Sequence, residues 1–297
     1  GFDITSSQRA GLSALLAALN AVKGGAHANA LVVAGDKRKT RAASAQELQY
    51  GDGAAALVVG NTKPVAKYLG GASLTGDFID HFRGEGEDYD YQWEERWIRD
   101  EGFTKIAPRA IKAALDKAGV KAADIDHFIM PCVFPKLDAD VAKRSGIDPA
   151  KVRPNLGDVC GETGTAHALV MLVHALEEAK PGQKILVAAF GQGMDALVFE
   201  ATDALKELQG KRRGISGSLK RRKEETNYMK WLMFNGLIEV EKGMRAEKDN
   251  KTALTVTYRK RDMLFGLTGG KCTKCGTAQF PRTRICVNPN CKAVDSQ

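Results

Sequence analysis

Apolar residues fall into two kinds of pattern over the first 60 positions of the chain. Residues 12–22 (LSALLAALNAV) place apolar side chains at helical spacing, and Gly24 and Gly25 then interrupt the pattern, which predicts a helix that ends there. The run at 30–36 (ALVVAGD) is apolar and ends in Gly-Asp, and the run at 51–60 (GDGAAALVVG) has a Gly-rich start followed by apolar residues; both are typical of buried strands. A helix followed by two buried strands predicts an α/β fold.

The same mixture of helical and strand patterns returns between residues 104 and 202. The predicted elements, in chain order, are a helix at 104–118, a buried strand at 124–132, a short helix at 137–146, a long helix at 163–179, and two strands within 184–202 that a glycine turn joins. This order is typical of one half of a repeat in which helices cover a sheet. Residues 1–60 would then supply the end of a preceding half.

The remaining segments are less regular. Residues 62–102 combine glycine with acidic and aromatic residues, so we predict an excursion over the surface or a lid. Residues 227–237 have an amphipathic helical pattern, and 253–262 alternates like a strand. These patterns divide the chain into the end of one α/β half (1–60), a second half (61–203), a basic helical linker (204–262) and a small cysteine-containing module (263–297).

Composition and charge narrow the class of protein. The 297 residues are 43% hydrophobic, which is enough for one large domain or two unequal ones. The net charge is +8, and the positive excess is concentrated in residues 204–261, so this segment is either a contact for a phosphate-rich partner such as CoA or nucleic acid, or for an acidic protein, or else a solvated linker. No stretch reaches the roughly 18–20 apolar residues that a spanning helix needs, and no signal-peptide pattern is present. We expect a cytoplasmic protein with no membrane partner.

Four of the six cysteines lie close together near the C-terminal end of the sequence. Cys272, Cys275, Cys286 and Cys291 follow the spacing C-x2-C-x10-C-x4-C, which lets two turns each offer two thiolates to a tetrahedral ion. We predict a zinc ribbon whose zinc is structural, because four thiolates leave no open coordination position. A zinc ribbon beside a basic linker is also compatible with a nucleic-acid-binding or protein-interaction role.

Several motifs carry a resemblance to a known family. Residues 3–36, followed by YGDGAAALVVG (50–60), resemble the nucleophile helix and following strands of the β-ketoacyl-ACP synthase III and hydroxymethylglutaryl-CoA synthase branch of the thiolase superfamily. NLGDVCGETGTAHALVMLVHAL (155–176) and AAFGQGMDALVFE (188–200) resemble the C-terminal half of the same family. GGKCTKCGTAQFPRTRIC (269–286) is similar to the zinc ribbon of small acyl-CoA-associated domains that combine a ribbon with an OB-fold.

The resemblance implies a layered α/β thiolase-like fold fused to a zinc ribbon. It implies an acyl-CoA as substrate and a homodimer or a hetero-oligomer of thiolase-like subunits. In the family, an N-terminal half begins before the nucleophile and the OB-fold follows the ribbon. We therefore expect Gly1 and Gln297 to lie inside a longer chain.

Three positions depart from the family pattern of Cys, His and Asn. Counting from the apolar helix and the strand after it without a gap, the family's catalytic Cys falls on Gln8. The family's Pro-His pair falls on Pro131 and Cys132, and its Gly-Asn pair on Gly161 and Glu162. A Gln forms no thioester, so ping-pong acyl transfer is not expected; an amide at a helix N-terminus can instead donate to a thioester oxygen. Cys132 and Glu162 could serve as general acid or base. Each residue could instead have no catalytic role. Gln8 would then be a replacement in a non-catalytic subunit, Cys132 a buried thiol, and Glu162 a helix cap.

Other candidate residues surround these three positions. Gly191 and Gly193 match the family's glycine-rich loop, whose backbone amides can approach a ligand closely, so we predict a cofactor-binding role. Cys160 is either a displaced nucleophile or, as we favour, structural. His167 and His174 are seven residues apart on an apolar helix and are expected to face the core. His81 is expected to be surface decoration, with a substrate entrance as the alternative.

Three functional hypotheses follow. The first is an acyl-CoA-binding thiolase-fold protein that forms or cleaves a C–C bond without a Cys acyl-enzyme, by aldol addition, retro-aldol cleavage or decarboxylation. The second is a non-catalytic subunit of a hetero-oligomer. The third is a zinc-ribbon protein that binds nucleic acid or another protein, which the combined motifs disfavour.

Overall fold

The computed structural model describes residues 1–5, 7–210, 214–240 and 254–295. The chain forms two compact units, Gly1–Ile238 and Glu239–Gln297. Parts of the predicted linker, at 211–213 and 241–253, lie outside the described residues, as do Ser6 and the last two positions of the predicted ribbon. The domain boundaries at 60, 203 and 262 stay predictions.

The first unit contains ten α-helices among the described residues. They are α1 (Ala10–Lys23), α2 (Ala45–Gln49), α3 (Glu95–Trp97), α4 (Thr104–Ala118), α5 (Leu137–Arg144), α6 (Gly157–Cys160), α7 (His167–Glu178), α8 (Leu205–Leu208), α9 (Gly214–Leu219) and α10 (Tyr228–Phe234). A π-helical turn at Ile98–Phe103 precedes α4, and short 3-10 turns lie at Ala122–Asp124, Pro149–Lys151 and Gly164–Ala166.

Eight strands of the same unit form three sheets in the described part of the chain. They are β1 (Asn29–Asp36), β2 (Gly53–Gly60), β3 (Ala66–Thr75), β4 (His81–Phe82), β5 (Tyr91–Gln92), β6 (His127–Ile129), β7 (Lys184–Phe190) and β8 (Gly193–Ala201). The largest sheet has the order β3-β8-β7-β6, in which β6 and β7 are parallel and the other pairs are antiparallel. Strands β1 and β2 pair antiparallel, and so do β4 and β5.

The core lies on both faces of the four-stranded sheet. Alternate residues of β7 point to opposite faces: Ile185 and Val187 pack with α1 and α7, whereas Leu186 and Ala188 pack with α4 and α5. Strand β7 is buried on both faces, which explains its apolar run over residues 185–190, whereas β8 is also buried but carries the polar residue Asp195. The helices on the two sides produce the layered arrangement that the sequence predicts.

Most elements between residues 10 and 36 and between 104 and 201 confirm the sequence-based predictions, and α4 has the predicted bounds. The buried strand predicted at 124–132 is shorter, since β6 spans three residues. The predicted surface excursion at 62–102 is wrong for β3, which is a strand of the main sheet. The strand predicted at 253–262 is wrong over its described residues, which form helices α11 (Leu254–Arg259) and α12 (Arg261–Leu264).

The two strands β1 and β2 form as predicted, but they are buried on one face alone. Val32, Ala34 and Val59 face α1 and α7 and are buried. On the opposite face Leu31 and Val58 are 67% and 73% exposed. The prediction of fully buried strands is therefore wrong for the described residues, because no described element covers this outer face.

The second unit is small and rich in turns. Besides α11 and α12, it contains a two-stranded ribbon of β9 (Gly270–Lys271) and β10 (Ala278–Gln279), with a small core in which Cys272 and Cys286 are buried. Across the described ranges, no helix combines the length and the apolar content needed to cross a bilayer.

Candidate functional site

The N-terminus of α1 lies against the turn between β7 and β8. The Ser7 hydroxyl donates to the Gly191 carbonyl at 3.0 Å. A Cβ on Gly191 would lie 3.2 Å from the backbone nitrogen of Gln8 and 2.6 Å from the Ser7 hydroxyl, so a side chain would not fit there. Gly193 is confined more tightly, since a Cβ would lie 2.0 Å from the Leu74 carbonyl. Gly191 allows close backbone packing beside Gln8, and Gly193 allows it beside the end of β3. Their predicted role in binding a cofactor stays a prediction.

A buried ion pair that the sequence analysis did not identify fixes the start of α1 to the sheet. Arg9 donates to the Asp195 carboxylate at 3.0 Å, and Asp195 on β8 is 1% exposed. Ser13 and Ser73 also donate to this carboxylate. A buried carboxylate needs such donors because burial without partners is costly. Gln8 is adjacent to Arg9 in the chain, so this network positions it indirectly.

A cavity of about 40 Å³ brings the three predicted catalytic residues together, since Gln8, Cys132 and Glu162 all line it. This volume holds a few water molecules or the reacting atoms of a substrate. Polar residues occupy one part of the wall, and aromatic rings such as Phe103 and Phe190 occupy another. The cavity therefore joins elements from three distant parts of the sequence.

Glu162 is held by its backbone and by its side chain. Its amide nitrogen donates to the Gln49 carbonyl at 2.7 Å, and its own carbonyl accepts from Gly51 at 3.0 Å. One carboxylate oxygen accepts from the Gly164 amide nitrogen at 2.9 Å, and the other accepts from Arg38. Glu162 therefore bonds the first residue of the short turn before α7 without being the N-cap of that helix, and it forms an ion pair that the sequence analysis did not identify.

Arg38 connects several groups of the cavity wall. It is 6% exposed, and it pairs with Glu162 and, at 3.2 Å, with Asp90. Its guanidinium stacks on the Tyr50 ring, 3.8 Å from the centroid. Burial alone would lower the pKa of Arg38, but the nearby negative charge of Glu162 and its neighbours raises it. Burial also raises the pKa of Tyr50 to about 12.

His81 lies in the cavity wall, so its expected surface position is wrong. Its side chain is 10% exposed, and Nδ1 lies 3.0 Å from the Asp80 carboxylate. With the Gln8 amide oriented by its neighbours, its oxygen accepts from His81 Nε2 at 2.5 Å and from Arg38 at 2.9 Å. Burial lowers the pKa of His81, but the hydrogen bond and the charge of Asp80 outweigh it and raise the pKa above its ordinary value.

The two cysteines of the first unit differ in position. Cys132 lines the cavity, and burial raises the pKa of its thiol to about 12. Its sulfur accepts from the Phe134 amide nitrogen at 3.4 Å. Cys160 is half-buried outside the cavity wall, its sulfur lies 3.4 Å from the Leu156 carbonyl, and burial raises the pKa of its thiol. Both thiols are therefore protonated near neutral pH.

His167 lies behind the cavity rather than in it. It is fully buried, and its Nδ1 accepts from the Thr163 amide nitrogen at 3.1 Å. Its Nε2 therefore carries the proton and lies 2.8 Å from the Asn155 carbonyl. Burial lowers the pKa of His167, which agrees with a neutral ring. This core position is the one expected from the sequence, while His174 on the same helix is half-buried.

The four cysteines of the second unit form one cluster. Their sulfur atoms all lie within 4.8 Å of one another. Cys275 and Cys286 are 3.5 Å apart, and Cys272 and Cys291 are 3.9 Å apart. Zinc–sulfur bonds of about 2.3 Å in a tetrahedron require sulfur separations of about 3.8 Å, so the cluster fits a zinc ion with four thiolate ligands.

Two family models match the chain. Residues 115–200 match the C-terminal domain of 3-oxoacyl-[acyl-carrier-protein] synthase III, and residues 265–295 match the ChsH2 rubredoxin-like zinc ribbon domain. The hydroxymethylglutaryl-CoA synthase of Aeropyrum pernix is 30% identical over 244 residues, which are 81% of this chain and 67% of that protein. The chain belongs to the hydroxymethylglutaryl-CoA synthase family.

Other members of the hydroxymethylglutaryl-CoA synthase family show how much of the length is shared. The enzyme of Caldivirga maquilingensis is 30% identical over 68% of this chain and 59% of its own length, and that of Pyrococcus furiosus is 30% identical over 74% and 64%. The chain thus spans about two thirds of these relatives.

Solved structures show the same fold. A hydroxymethylglutaryl-CoA synthase complexed with CoA has a TM-score of 0.67 at 18% identity, covering 84% of this chain and 69% of that one. The 3-oxoacyl-[acyl-carrier-protein] synthase III of Aquifex aeolicus has a TM-score of 0.56 at 22% identity, covering 67% and 66%. These similarities confirm the predicted thiolase-like fold and its zinc ribbon. The assignment of Gln8, Cys132 and Glu162 to the family's catalytic positions stays a prediction.

Proposed function

We propose that this protein binds a CoA thioester and forms or cleaves a carbon–carbon bond beside its carbonyl group without a Cys acyl-enzyme. The observation that carries the proposal is the cavity at the N-terminus of α1, whose wall contains both Gln8, which accepts from His81 and Arg38, and the Glu162 carboxylate, which pairs with Arg38. Family membership supports the class of substrate, because the relatives are named for a CoA thioester.

An acyl-enzyme is not expected, because the groups near the cavity are poor nucleophiles. A Gln amide neither ionises nor attacks a thioester. The Cys132 thiol has its pKa raised to about 12, so very little of it is thiolate near neutral pH. Cys160 lies outside the cavity wall. Chemistry that proceeds through an enolate needs an acid and a base but no nucleophile.

The cavity supplies the groups that enolate chemistry needs. Glu162 can accept a proton, and Arg38 and His81 provide positive charge beside the position where an oxyanion would develop. In a retro-aldol reaction, Glu162 takes the proton of a β-hydroxyl group. The oxygen electrons then form a carbonyl, the Cα–Cβ bond breaks, and its electron pair becomes the thioester enolate.

The zinc ribbon has a separate role. We propose that Cys272, Cys275, Cys286 and Cys291 hold one structural zinc ion, as their sulfur spacing supports. The zinc would stabilise a unit that has little apolar core of its own. A cytoplasmic location, which reduced cysteines favour, stays a prediction.

A second candidate is a non-catalytic subunit of a hetero-oligomer. Both oxygens of Glu162 already accept hydrogen bonds, which favours a structural role for the carboxylate. Leu31, Val33 and Val58 form an exposed apolar face that supports contact with another protein surface. A homodimer would use the same face.

Mass spectrometry of the intact protein tests the proposal. The protein is incubated with acetyl-CoA and a panel of longer acyl- and 3-hydroxyacyl-CoAs, and its mass is measured under native and denaturing conditions. We expect binding that disappears on denaturation, with cleavage of a 3-hydroxyacyl-CoA by the unaltered protein and at least a 100-fold loss of that cleavage in Glu162→Gln.

The control variant is Glu207→Gln, an exposed Glu on α8 that should behave as the unaltered protein. A covalent acyl adduct on Cys132 or Cys160 would contradict the proposed mechanism. Reversible binding without turnover of any thioester in the panel would favour the non-catalytic subunit.

A further inference from the structure

Five side chains form one continuous hydrogen-bonded chain along the cavity wall. Asp80 contacts His81, and His81 contacts Gln8. Gln8 in turn contacts Arg38, and Arg38 pairs with Glu162. One end of this chain is a carboxylate paired with a histidine ring, and the other is a carboxylate paired with a guanidinium. The protonation states along the chain follow from the chemistry of its members.

Arg38 determines the orientation of the Gln8 amide. A guanidinium has donors and no acceptor, so the Gln8 oxygen, and not its nitrogen, must face Arg38. The same oxygen lies 2.5 Å from His81 Nε2, which must then carry a proton in order to donate. On the other side of the ring, Nδ1 faces the Asp80 carboxylate at 3.0 Å and also donates. With both nitrogens protonated, the ring is an imidazolium.

We propose that the His81 imidazolium, held by Asp80, is the acid that protonates the enolate oxygen of a CoA thioester bound in this cavity. This inference rests on the proposed function, and it deepens it by naming the proton donor. His81 is the member of the polar wall that can both carry and release a proton near neutral pH.

The other groups of the wall are poorer acids. Arg38 does not release its proton in proteins. Burial raises the pKa values of Tyr50 and of Cys132 to about 12, so each is a weak acid at neutral pH. Glu162 is the proton acceptor at the other end of the hydrogen-bonded chain, because Arg38 and the Gly164 amide nitrogen donate to its carboxylate. An acid at His81 and a base at Glu162 divide the two proton transfers between opposite ends of the chain.

The reaction balances without any further reagent. Glu162 takes the β-hydroxyl proton as the Cα–Cβ bond breaks, and an aldehyde leaves. His81 gives its proton to the enolate oxygen, which produces the enol of the shorter thioester. The Glu162 carboxylic acid then gives its proton to Cα while the enol proton returns to His81. Both residues regain their starting state. The reverse of the last step moves a Cα proton of the product to Glu162, and once that proton exchanges with solvent, the forward step returns a solvent hydrogen to Cα.

The charged groups around His81 determine its response to pH. Asp80 precedes it, Arg38 faces it from the segment after β1, and Asp90 lies before β5. Glu162 and Tyr50 line the same cavity from the segments before α7 and after α2. Because the acid must be protonated, its activity should fall as pH rises through the pKa of His81. Asp80→Asn removes the main anion and should move this alkaline limb to lower pH.

The experiment follows Cα hydrogen exchange of acetyl-CoA in D2O, together with acetyl-CoA binding and the ring ¹⁵N signals of His81. The full 297-residue chain is compared with His81→Gln, Asp80→Asn and the control His27→Gln, which alters an exposed histidine away from the cavity. We expect two protonated ring nitrogens at pH 7 in the unaltered protein. The exchange rate should fall at least 100-fold in His81→Gln, while the Kd for acetyl-CoA changes less than about threefold. His27→Gln should behave as the unaltered protein.

The outcomes separate the two proposals. Exchange by the unaltered protein that persists in His81→Gln overturns the inference and leaves the proposed function standing. A neutral His81 ring at pH 7, which is measured without any variant, also overturns the inference alone. If the unaltered protein neither binds acetyl-CoA nor cleaves or exchanges any thioester, the proposed function fails, and the assignment of a proton donor fails with it.

Discussion

At the scale of single residues, the cavity depends on how buried charges are paired. Arg38 is surrounded by Glu162 and Asp90 and stacked on Tyr50, so its charge is compensated on three sides. Taking charges out of water is costly, and the arrangement persists because each charge has a partner. Removing one partner leaves the other buried and alone.

Arg38→Gln should therefore destabilise the protein strongly. Breaking a buried ion pair by removing one member costs about 3–5 kcal/mol, and equilibrium urea unfolding measures this loss. The control is Arg83→Gln, which removes a half-exposed partner of Asp90 and should cost less than about 1 kcal/mol. In the double variant Arg38→Gln/Glu162→Gln part of the loss should be recovered. Equal losses in Arg38→Gln and Arg83→Gln would contradict this account of the cavity.

The Cys132 thiol should be unreactive in the folded protein. Burial raises the pKa of this thiol from an ordinary value of 9.0 to about 12, which lowers the thiolate fraction by about 1000-fold. Alkylation with iodoacetamide at pH 7.5, followed by peptide mass spectrometry, should label Cys132 slowly in the native protein. The same position in urea provides the reference rate. Equally fast labelling in both states would show that the thiol is accessible and ionised, and would restore it as a candidate nucleophile.

At the scale of elements, the sequence predicts a helix or a strand well where the spacing of its own apolar residues indicates which of the two it is. Helix α4 has the predicted bounds because its apolar positions recur on one face and Gly119 ends it with a positive φ of 65°. Strand β3 was missed because glycine and lysine interrupt its apolar positions, and its stability comes from pairing with β8. The helices at 254–264 replace a predicted strand, since a short alternating stretch fits either period.

The turn between β7 and β8 gives a test at this scale. Gly193→Ala would place a Cβ 2.0 Å from the Leu74 carbonyl, at a φ of 109° that side chains rarely adopt. Overpacking of this kind costs about 1–3 kcal/mol, which thermal unfolding measures as a lower Tm. The matched control is Gly157→Ala, where the added Cβ meets nothing within 4 Å. A similar Tm for both variants would mean that the turn is not confined by β3.

At the scale of the whole molecule, the chain has two units that depend on different forces. The first unit buries apolar residues on both faces of its main sheet. The second has a core of few residues, two of which are cysteines of the cluster. A small unit with so little apolar core needs a covalent or metal crosslink to fold stably.

Removal of zinc should unfold the second unit and leave the first one folded. Elemental analysis should find one zinc per chain, and a chelator or Cys272→Ser should remove it and make residues 254–295 sensitive to proteolysis. The control variant is Cys160→Ser, since Cys160 belongs to the first unit and should leave the zinc content unchanged. A protease-resistant second unit without zinc would contradict the structural role of the metal.

The sequence by itself determined the features that depend on local spacing. These are the helices and strands with clear periodicity and the cysteine spacing of the ribbon, while the assignment of Gln8, Cys132 and Glu162 to one family pattern stays a prediction. The tertiary structure decided which other residues join them: Arg38 and Asp80 lie between regular elements and His81 begins the two-residue strand β4, in segments whose composition resembles an exposed surface. Long-range packing brings these segments to the cavity, and neither periodicity nor spacing records contacts between residues more than 100 positions apart.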